Sequence, residues 1–106
     1  MKLPPGAVIT DDKIRDYLLN AGNAQNRGKA ALFTAFGFVR EQWQILAAAL
    51  VRHPIDNEIL TTTVSPHGTK YLVQCNLVSP DGRNPCLTSV WIVDTGGTIP
   101  RLVTAH

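Results

Sequence analysis

The stretch TKYLVQCNLVSPDGRNPCLTSVWIVD, residues 69–94, decides the fold, because it predicts two β-strands joined by a tight turn. In the first half, Tyr71, Val73 and Cys75 alternate with polar residues, which is typical of a half-buried strand. The second half, CLTSVWIVD, is rich in β-branched and aromatic residues that favour strands. Between them, the SPDG segment at residues 79–82 has proline and glycine where a turn needs them. We therefore expect a β-hairpin here.

Two further strands flank the predicted hairpin. EILTTTVS, residues 58–65, alternates before a Ser-Pro-His-Gly turn, and RLVTAH, residues 101–106, follows an Asp-Thr-Gly-Gly turn. Short turns between consecutive strands predict an antiparallel meander. In the last strand, a regular period of two would place Leu102 and Thr104 on one face and Arg101 on the other.

Helical patterns precede the strands. KIRDYLLN, residues 13–20, follows a Thr-Asp cap, and GKAALFTAF, residues 28–36, has an apolar face and stops at Gly37. The most regular pattern is REQWQILAAALVRH, residues 40–53, whose apolar residues recur every three or four positions until Pro54 ends the helix. We predict an α+β fold, with two or three N-terminal helices packed on one face of a four-stranded antiparallel meander sheet and the other face left open.

Length and composition limit the class of protein. The 106 residues are enough for one hydrophobic core, so we expect a single α+β domain over residues 1–106. With 44% hydrophobic and 17% charged residues and no long apolar run, the sequence predicts a globular protein without a membrane span or signal peptide. We expect a cytoplasmic protein, unless the chain was cut from a larger secreted one. A net charge of +2 permits an anionic partner without requiring one.

The cysteines and histidines show no metal-ligand spacing. Cys75 and Cys86 lie on the two predicted strands at roughly equal distances from the turn, so some strand registers place them opposite each other and would allow a cross-strand disulfide in an oxidising compartment. In a reducing cytoplasm we expect both to be small, buried, free thiols. The three histidines form no ligand pair at helical or hairpin spacing, and His53 suits the dipole at the end of its helix. We therefore expect neither a metal nor a cofactor.

Taken in order, the segments KIRDYLLN, RGKAALFTAFGF, TKYLVQC, SPDGR, SVW and PRLVTA resemble a family of small uncharacterised bacterial domains of unknown function, over almost the whole chain. That family is similar to the barnase/EndoU/colicin/RelE group of metal-free ribonuclease toxins. The resemblance implies a ribonuclease-like toxin, or a catalytically degenerate relative, paired with a neutralising partner. The chain departs from the family pattern at Asn23, where relatives often carry a histidine, and at Val39, where they often carry a serine cap.

Metal-free RNA cleavage needs proton transfer at the 2′-hydroxyl and the leaving oxygen, and cations that neutralise the charged phosphorane. Basic and hydroxyl side chains suit these tasks. The candidates for catalysis are Lys29, Arg101, Thr104 and His106. The candidates for binding RNA are Arg27, Lys70 and Arg83. Each has an ordinary alternative, since exposed lysine and arginine are commonly only solvated and a histidine at a chain end is commonly inert.

The loop NAGNAQN, residues 20–26, is expected to border the functional cleft, with Arg27 and Lys29 at its rim. Both would point toward the sheet edge that carries Arg101. Because Asn23 takes up no proton at neutral pH, cleavage there would rely mainly on charge stabilisation.

A different class of function is also open: a non-enzymatic protein-binding module of a two-gene bacterial system. Such a module would dock an antitoxin-like partner through the open sheet face or a sheet edge. A concave basic face would favour RNA, and a flat apolar face would favour a protein partner. The sequence predicts no oligomeric state.

Overall fold

In the computed structural model of the chain, helices are followed by a four-stranded sheet. The residues that the structure describes are Leu3, 6–9, Ile14 and 27–106, with only the backbone described at 27–29. The predicted helix at 13–20, apart from Ile14, and the predicted loop at 20–26 lie outside the described residues. Within the described part of the chain, no helix is both long enough and apolar enough to cross a membrane.

The described elements follow the predicted order. They are helix α1 (Arg27–Ala35), a 3₁₀ turn (Arg40–Gln42), helix α2 (Trp43–Asp56), and strands β1 (Ile59–Ser65), β2 (Gly68–Asn76), β3 (Cys86–Asp94) and β4 (Arg101–Ala105). The strands are antiparallel neighbours in the order β1-β2-β3-β4. The prediction of an α+β fold with a four-stranded antiparallel meander is confirmed. The number of N-terminal helices stays a prediction, because the first of them falls on residues outside the described part.

Helix α2 forms because apolar residues recur along the side that faces β2 and β3. Leu46 and Leu50 on that side are fully buried, and Trp43 and Ala47 pack beside them. We call the sheet face under α2 the helix-covered face, and the opposite one the open face. The core lies between α2 and the helix-covered face, where Trp91 is completely buried.

The end of α2 differs from the prediction. The helix continues past Pro54 to Asp56, so the predicted end at Pro54 is wrong. Proline removes one backbone donor but does not prevent a last turn if the carbonyl groups find other partners. The last turn is closed by Asn57, whose backbone amide and side-chain Nδ2 both donate to the carbonyl oxygen of His53, at 3.1 and 2.9 Å.

The link between β2 and β3 is longer than a tight turn. The predicted turn at residues 79–82 is present, with the amide of Gly82 donating to the carbonyl of Ser79 at 3.1 Å. It lies inside an irregular loop over residues 77–85, so the prediction of directly joined strands is wrong. The ladder stops because Pro85 has no amide hydrogen and Asn84 has a positive φ of 48°.

A bulge in β4 changes which of its side chains share a face. The β3–β4 register pairs Trp91 with Leu102 and Val90 with Thr104, so β4 has one extra residue between the two pairs. The prediction that Leu102 and Thr104 share a face is therefore wrong. Leu102 lies on the helix-covered face, and Thr104 lies on the open face together with Arg101.

The two thiols are free, but they are less buried than predicted. Cys75 is half-buried, and Cys86 is exposed because it begins β3 at the end of the open face. The expectation that both are small core side chains is wrong for Cys86.

Candidate functional site

The open face carries polar side chains from three neighbouring strands, arranged around an apolar centre. In register across β2, β3 and β4, its rows are Lys70, Ile92 and Arg101; then Leu72, Val90 and Thr104; then Gln74, Thr88 and His106. Neighbouring strands are about 4.8 Å apart, so the Cα atoms of Lys70 and Arg101 are about 10 Å apart across the first row. Four of the seven predicted site residues therefore share this face. We call them the open-face set, Lys70, Arg101, Thr104 and His106.

Arg101 is oriented by an ion pair with the last residue of β3. Its Nε and Nη2 each donate to one carboxylate oxygen of Asp94, both at 3.0 Å. This hydrogen bonding lowers the pKa of Asp94 and raises that of Arg101. Both side chains remain about half exposed. The planar fork of the guanidinium is thus turned toward solvent with an anion on it, which is the geometry in which arginine also binds phosphate.

The centre of the open face is apolar. Ile92 lies between Lys70 and Arg101 in register and is only 6% exposed, while Leu72 and Val90 in the next row are half-buried. Long basic side chains cover apolar neighbours with their methylene groups while keeping the charge in water. The open face is therefore neither uniformly basic nor uniformly apolar. Its centre is apolar, and the cationic side chains of Lys70 and Arg101 flank that centre.

His106 is held in line with the sheet by its backbone. Its amide donates to the carbonyl of Thr88 at 2.9 Å, and the amide of Thr88 donates to the carbonyl of His106 at 2.8 Å. This mutual pair puts the His106 side chain on the same face as Thr88, whose hydroxyl accepts from Gln74 Nε2 at 3.4 Å. His106 therefore extends the open-face set by one row beyond Thr104.

Arg83 is engaged elsewhere. Its Nε donates to Asp81 Oδ2 at 2.6 Å, its Nη2 donates to the carbonyl of Ala35, and its guanidinium lies 4.6 Å above the ring of Phe36. These contacts fasten the 77–85 loop to the end of α1, so the structure does not bring Arg83 to the open-face set. The side chains of Arg27 and Lys29 lie outside the described part, and their roles stay predictions.

A buried polar network under α2 was missed by the sequence analysis. His53 Nε2 donates to the carbonyl of Cys75 at 2.5 Å, so Nδ1 accepts from the hydroxyl of Ser89 at 2.7 Å. The same hydroxyl accepts from Trp91 Nε1 at 2.8 Å. Burial lowers the pKa of His53, which agrees with a neutral ring.

The burial of this network indicates a structural role rather than a catalytic one. His53 and Ser89 are each 1% exposed, so this Ser-His pair fastens α2 to the sheet and no substrate reaches it. The sequence pattern indicates only that His53 lies at the dipole of the helix end. Its spacing from Leu46 and Leu50 is the signal that places it on the buried side of the helix.

Two open pockets lie on the helix side of the sheet. One, of about 590 Å³, is bordered by the β1–β2 turn and residues including Tyr71 and Val93, and the other, of about 450 Å³, lies between Ile45 on α2 and Pro80. Among the residues that the structure describes, no three His, Cys, Asp or Glu side chains gather as metal ligands.

The two edges of the sheet differ. On β4, the amide of Val8 donates to the carbonyl of Pro100 at 2.9 Å and the amide of Leu102 donates to the carbonyl of Val8 at 3.2 Å. No described strand pairs with the outer side of β1, which we call the β1 edge. Strand β1 contains no charged residue, and Val64 on it is 79% exposed. Edges of this kind are suited to pairing with another strand.

Helices on one face of a four-stranded antiparallel sheet, with cations and hydroxyls on the other, define the class of α+β domain to which this chain belongs. The chain is a member of the DUF6883 family, a domain of unknown function, whose family model matches residues 4–106. The predicted membership of a family of unknown function is thereby confirmed.

One solved structure similar to this chain comes from a contact-dependent growth inhibition toxin–immunity protein complex of Klebsiella pneumoniae 342. The TM-score is 0.72 at 18% sequence identity, over 92% of this chain and 96% of that chain. At this identity the similarity shows a shared fold. No curated protein matches this chain in sequence.

Proposed function

We propose that this chain is the toxin-like member of a toxin–immunity pair and acts as a metal-free ribonuclease on the open face of its sheet. The observation that carries the proposal is the shared face of Lys70, Arg101, Thr104 and His106. The similar fold in a toxin–immunity complex supports a place in such a system.

Each member of the open-face set has a role in the proposed reaction. The 2′-oxygen of RNA attacks the adjacent phosphorus, the bond to the 5′-oxygen breaks, and a 2′,3′-cyclic phosphate forms. His106 accepts the proton of the 2′-hydroxyl, because histidine is the side chain in the set suited to proton transfer near neutral pH. The leaving 5′-oxygen takes its proton from water on this exposed face. Lys70 and Arg101 neutralise the phosphorane, and Thr104 lies between the first and third rows to orient a phosphoryl oxygen.

Asp94 competes with the phosphate of the substrate for the guanidinium of Arg101 in the proposed reaction. Its carboxylate occupies the fork of Arg101 in the free protein, with two bonds of 3.0 Å. A phosphate bound by the same fork displaces it, so Asp94 competes with the substrate.

The test is cleavage of bacterial RNA by the purified chain in the presence of EDTA. Arg101→Ala should slow cleavage roughly 10²-fold or more by removing charge stabilisation, and His106→Ala should slow it by a similar factor by removing the base. Arg52→Ala is the matched control, because Arg52 is an exposed arginine with a similar ion pair, at 2.8 Å to Asp56, but on helix α2. It should leave cleavage unchanged.

Two results would overturn the ribonuclease proposal. Equal cleavage by wild type and Arg101→Ala would place any activity outside the open face. A wild-type chain that neither cleaves RNA nor slows bacterial growth when expressed alone would remove the catalytic role altogether.

The β1 edge supports a second candidate, a non-catalytic module that binds a protein partner by strand addition. An uncharged edge strand with Val64 at 79% exposure favours this mode of binding. Val64→Lys should abolish co-purification with the product of a neighbouring gene, because a charge on the edge blocks strand pairing. Ile99→Lys, at a residue 56% exposed on the β3–β4 turn, should not. Co-purification that survives Val64→Lys would exclude the β1 edge.

A further inference from the structure

Cys75 and Cys86 form a diagonal pair on neighbouring strands. The β2–β3 register joins Cys75 to Leu87 and Asn76 to Cys86, so the cysteines are offset by one position. One such step across antiparallel strands puts two Cα atoms about 6 Å apart, within the range of roughly 4.4–6.8 Å seen for disulfides. In a regular strand, however, the two side chains would point to opposite faces.

The backbone of Cys75, however, is not that of a regular strand. Its φ of 128° lies in a region that residues other than glycine rarely adopt, inside an otherwise regular strand. The carbonyl group of Cys75 is held in place by His53 Nε2. The neighbouring Cys75 side chain raises the pKa of Cys86, which agrees with the closeness of the two residues in the register. Strain of this kind, kept at one residue, is a recurring mark of function.

We propose that Cys75 and Cys86 are an oxidisable dithiol site, which a small disulfide such as oxidised glutathione converts into an intramolecular disulfide. This inference is independent of the proposed ribonuclease activity. The free, reduced thiols of the structure are its starting state.

The reaction proceeds by two exchanges. Cys86 is exposed, and its thiolate attacks one sulfur of oxidised glutathione, whose S–S bond breaks. One glutathione leaves as a thiolate and takes a proton from solvent, and a mixed disulfide remains on Cys86. The thiolate of half-buried Cys75 then attacks Sγ of Cys86 and releases the second glutathione. Two protein thiols are oxidised, and one glutathione disulfide is reduced to two thiols.

The bridge closes the 77–85 loop at its base, next to the row that contains His106. A disulfide around a short loop stabilises the fold by restricting the unfolded chain, and here it should raise Tm by roughly 5–15 °C.

The experiment treats the purified full chain with excess oxidised glutathione at about pH 9.5, because the raised pKa of Cys86 requires a more alkaline solution to form its thiolate than an ordinary thiol does. Acid quenching, mass spectrometry and a thiol count on denatured protein follow. The wild-type chain should lose the mass of two hydrogen atoms, retain no free thiol and stay monomeric on a non-reducing gel. Cys75→Ser should instead accumulate a glutathione adduct on Cys86, because the second exchange has no attacking thiol.

Three outcomes would overturn the proposal: a wild-type chain with both thiols unreacted, one that accumulates the same glutathione adduct as Cys75→Ser, or one linked only between molecules. Cys75→Ala replaces Cys75→Ser if the serine variant does not fold by circular dichroism. The wild-type mass and thiol count decide the matter without either variant.

Discussion

Hydroxyl side chains have different roles on the two faces of the sheet: structural on the helix-covered face and accessible to solvent on the open face. Adjacent residues of β3 show this best. Ser89 points to the helix-covered face, is 1% exposed, and has both His53 and Trp91 as partners. Thr88 points to the open face, is half-buried, and has one long hydrogen bond, with Gln74. A serine beside a histidine is thus structural here, whereas the polar groups that a substrate could reach lie on the other face.

The largest expected difference between the faces is in the free energy of unfolding. Ser89→Ala should lower it by about 2–4 kcal/mol, because buried donor and acceptor groups on Trp91 and His53 lose their partner. Thr88→Ala, one residue away, should change it by less than about 0.5 kcal/mol. Urea unfolding followed by tryptophan fluorescence measures both. Equal losses would mean that the buried network contributes no more than a surface hydroxyl.

A second, smaller effect is a pH dependence of the free energy of unfolding that comes from His53 on the helix-covered face. Burial holds the pKa of His53 below its ordinary 6.5. The unfolded chain therefore binds a proton at His53 more readily than the folded chain does, and the network's stability is present above about pH 6.5 and lost as pH falls toward the folded-state pKa. Urea midpoints measured between about pH 7.5 and pH 5 should decrease as the pH is lowered.

The control for this prediction changes one histidine at a time. His53→Gln should reduce the slope of the urea midpoint with pH in that window. His67→Gln, on the exposed β1–β2 turn, should retain it. A slope that is the same in His53→Gln as in the wild-type chain would assign the pH dependence to other groups.

Periodicity predicted the parts of this fold that repeat regularly. The alternation in β2 and the apolar stripe of α2 are strong local patterns, and the sheet and its helix follow from them. The bulge in β4 depends on tertiary packing, since Leu102 and Ala105 both fill the core and an odd spacing needs an extra residue. That spacing is visible in the sequence, but it has meaning only once β4 is known to have one covered face.

The candidate site was predictable in composition but not in arrangement. Lys70 and Arg101 were recognised as basic residues on strands, but the β2–β3–β4 register is what puts them in one row. The bulge in β4 places Thr104 on the same face as Arg101, whereas a regular alternation would place it on the opposite face. Arg83 is not among them, because its contacts with Ala35 and Phe36, which are far from it in sequence, hold it at the end of α1.

The smallest expected effect on stability belongs to the open face, at the pair of Asp94 and Arg101. Both side chains are more than half exposed, and exposed ion pairs contribute little, so Asp94→Asn should leave the urea midpoint unchanged within error. If Asp94 competes with phosphate for Arg101, the same variant should bind a labelled, non-cleavable 2′-O-methyl RNA roughly three to ten times more tightly, by removing one nearby negative charge. Fluorescence anisotropy measures the affinity.

Asp56→Asn is the matched control for that prediction, because Asp56 pairs with Arg52 on α2 in a similar exposed ion pair. It removes the same charge from the protein but away from the open face, so any general gain from the net charge appears in both variants. A gain confined to Asp94→Asn identifies Asp94 as a competitor of the substrate. Weaker RNA binding by Asp94→Asn would instead show that the carboxylate positions the guanidinium for phosphate, and then both members of the pair belong to the binding site.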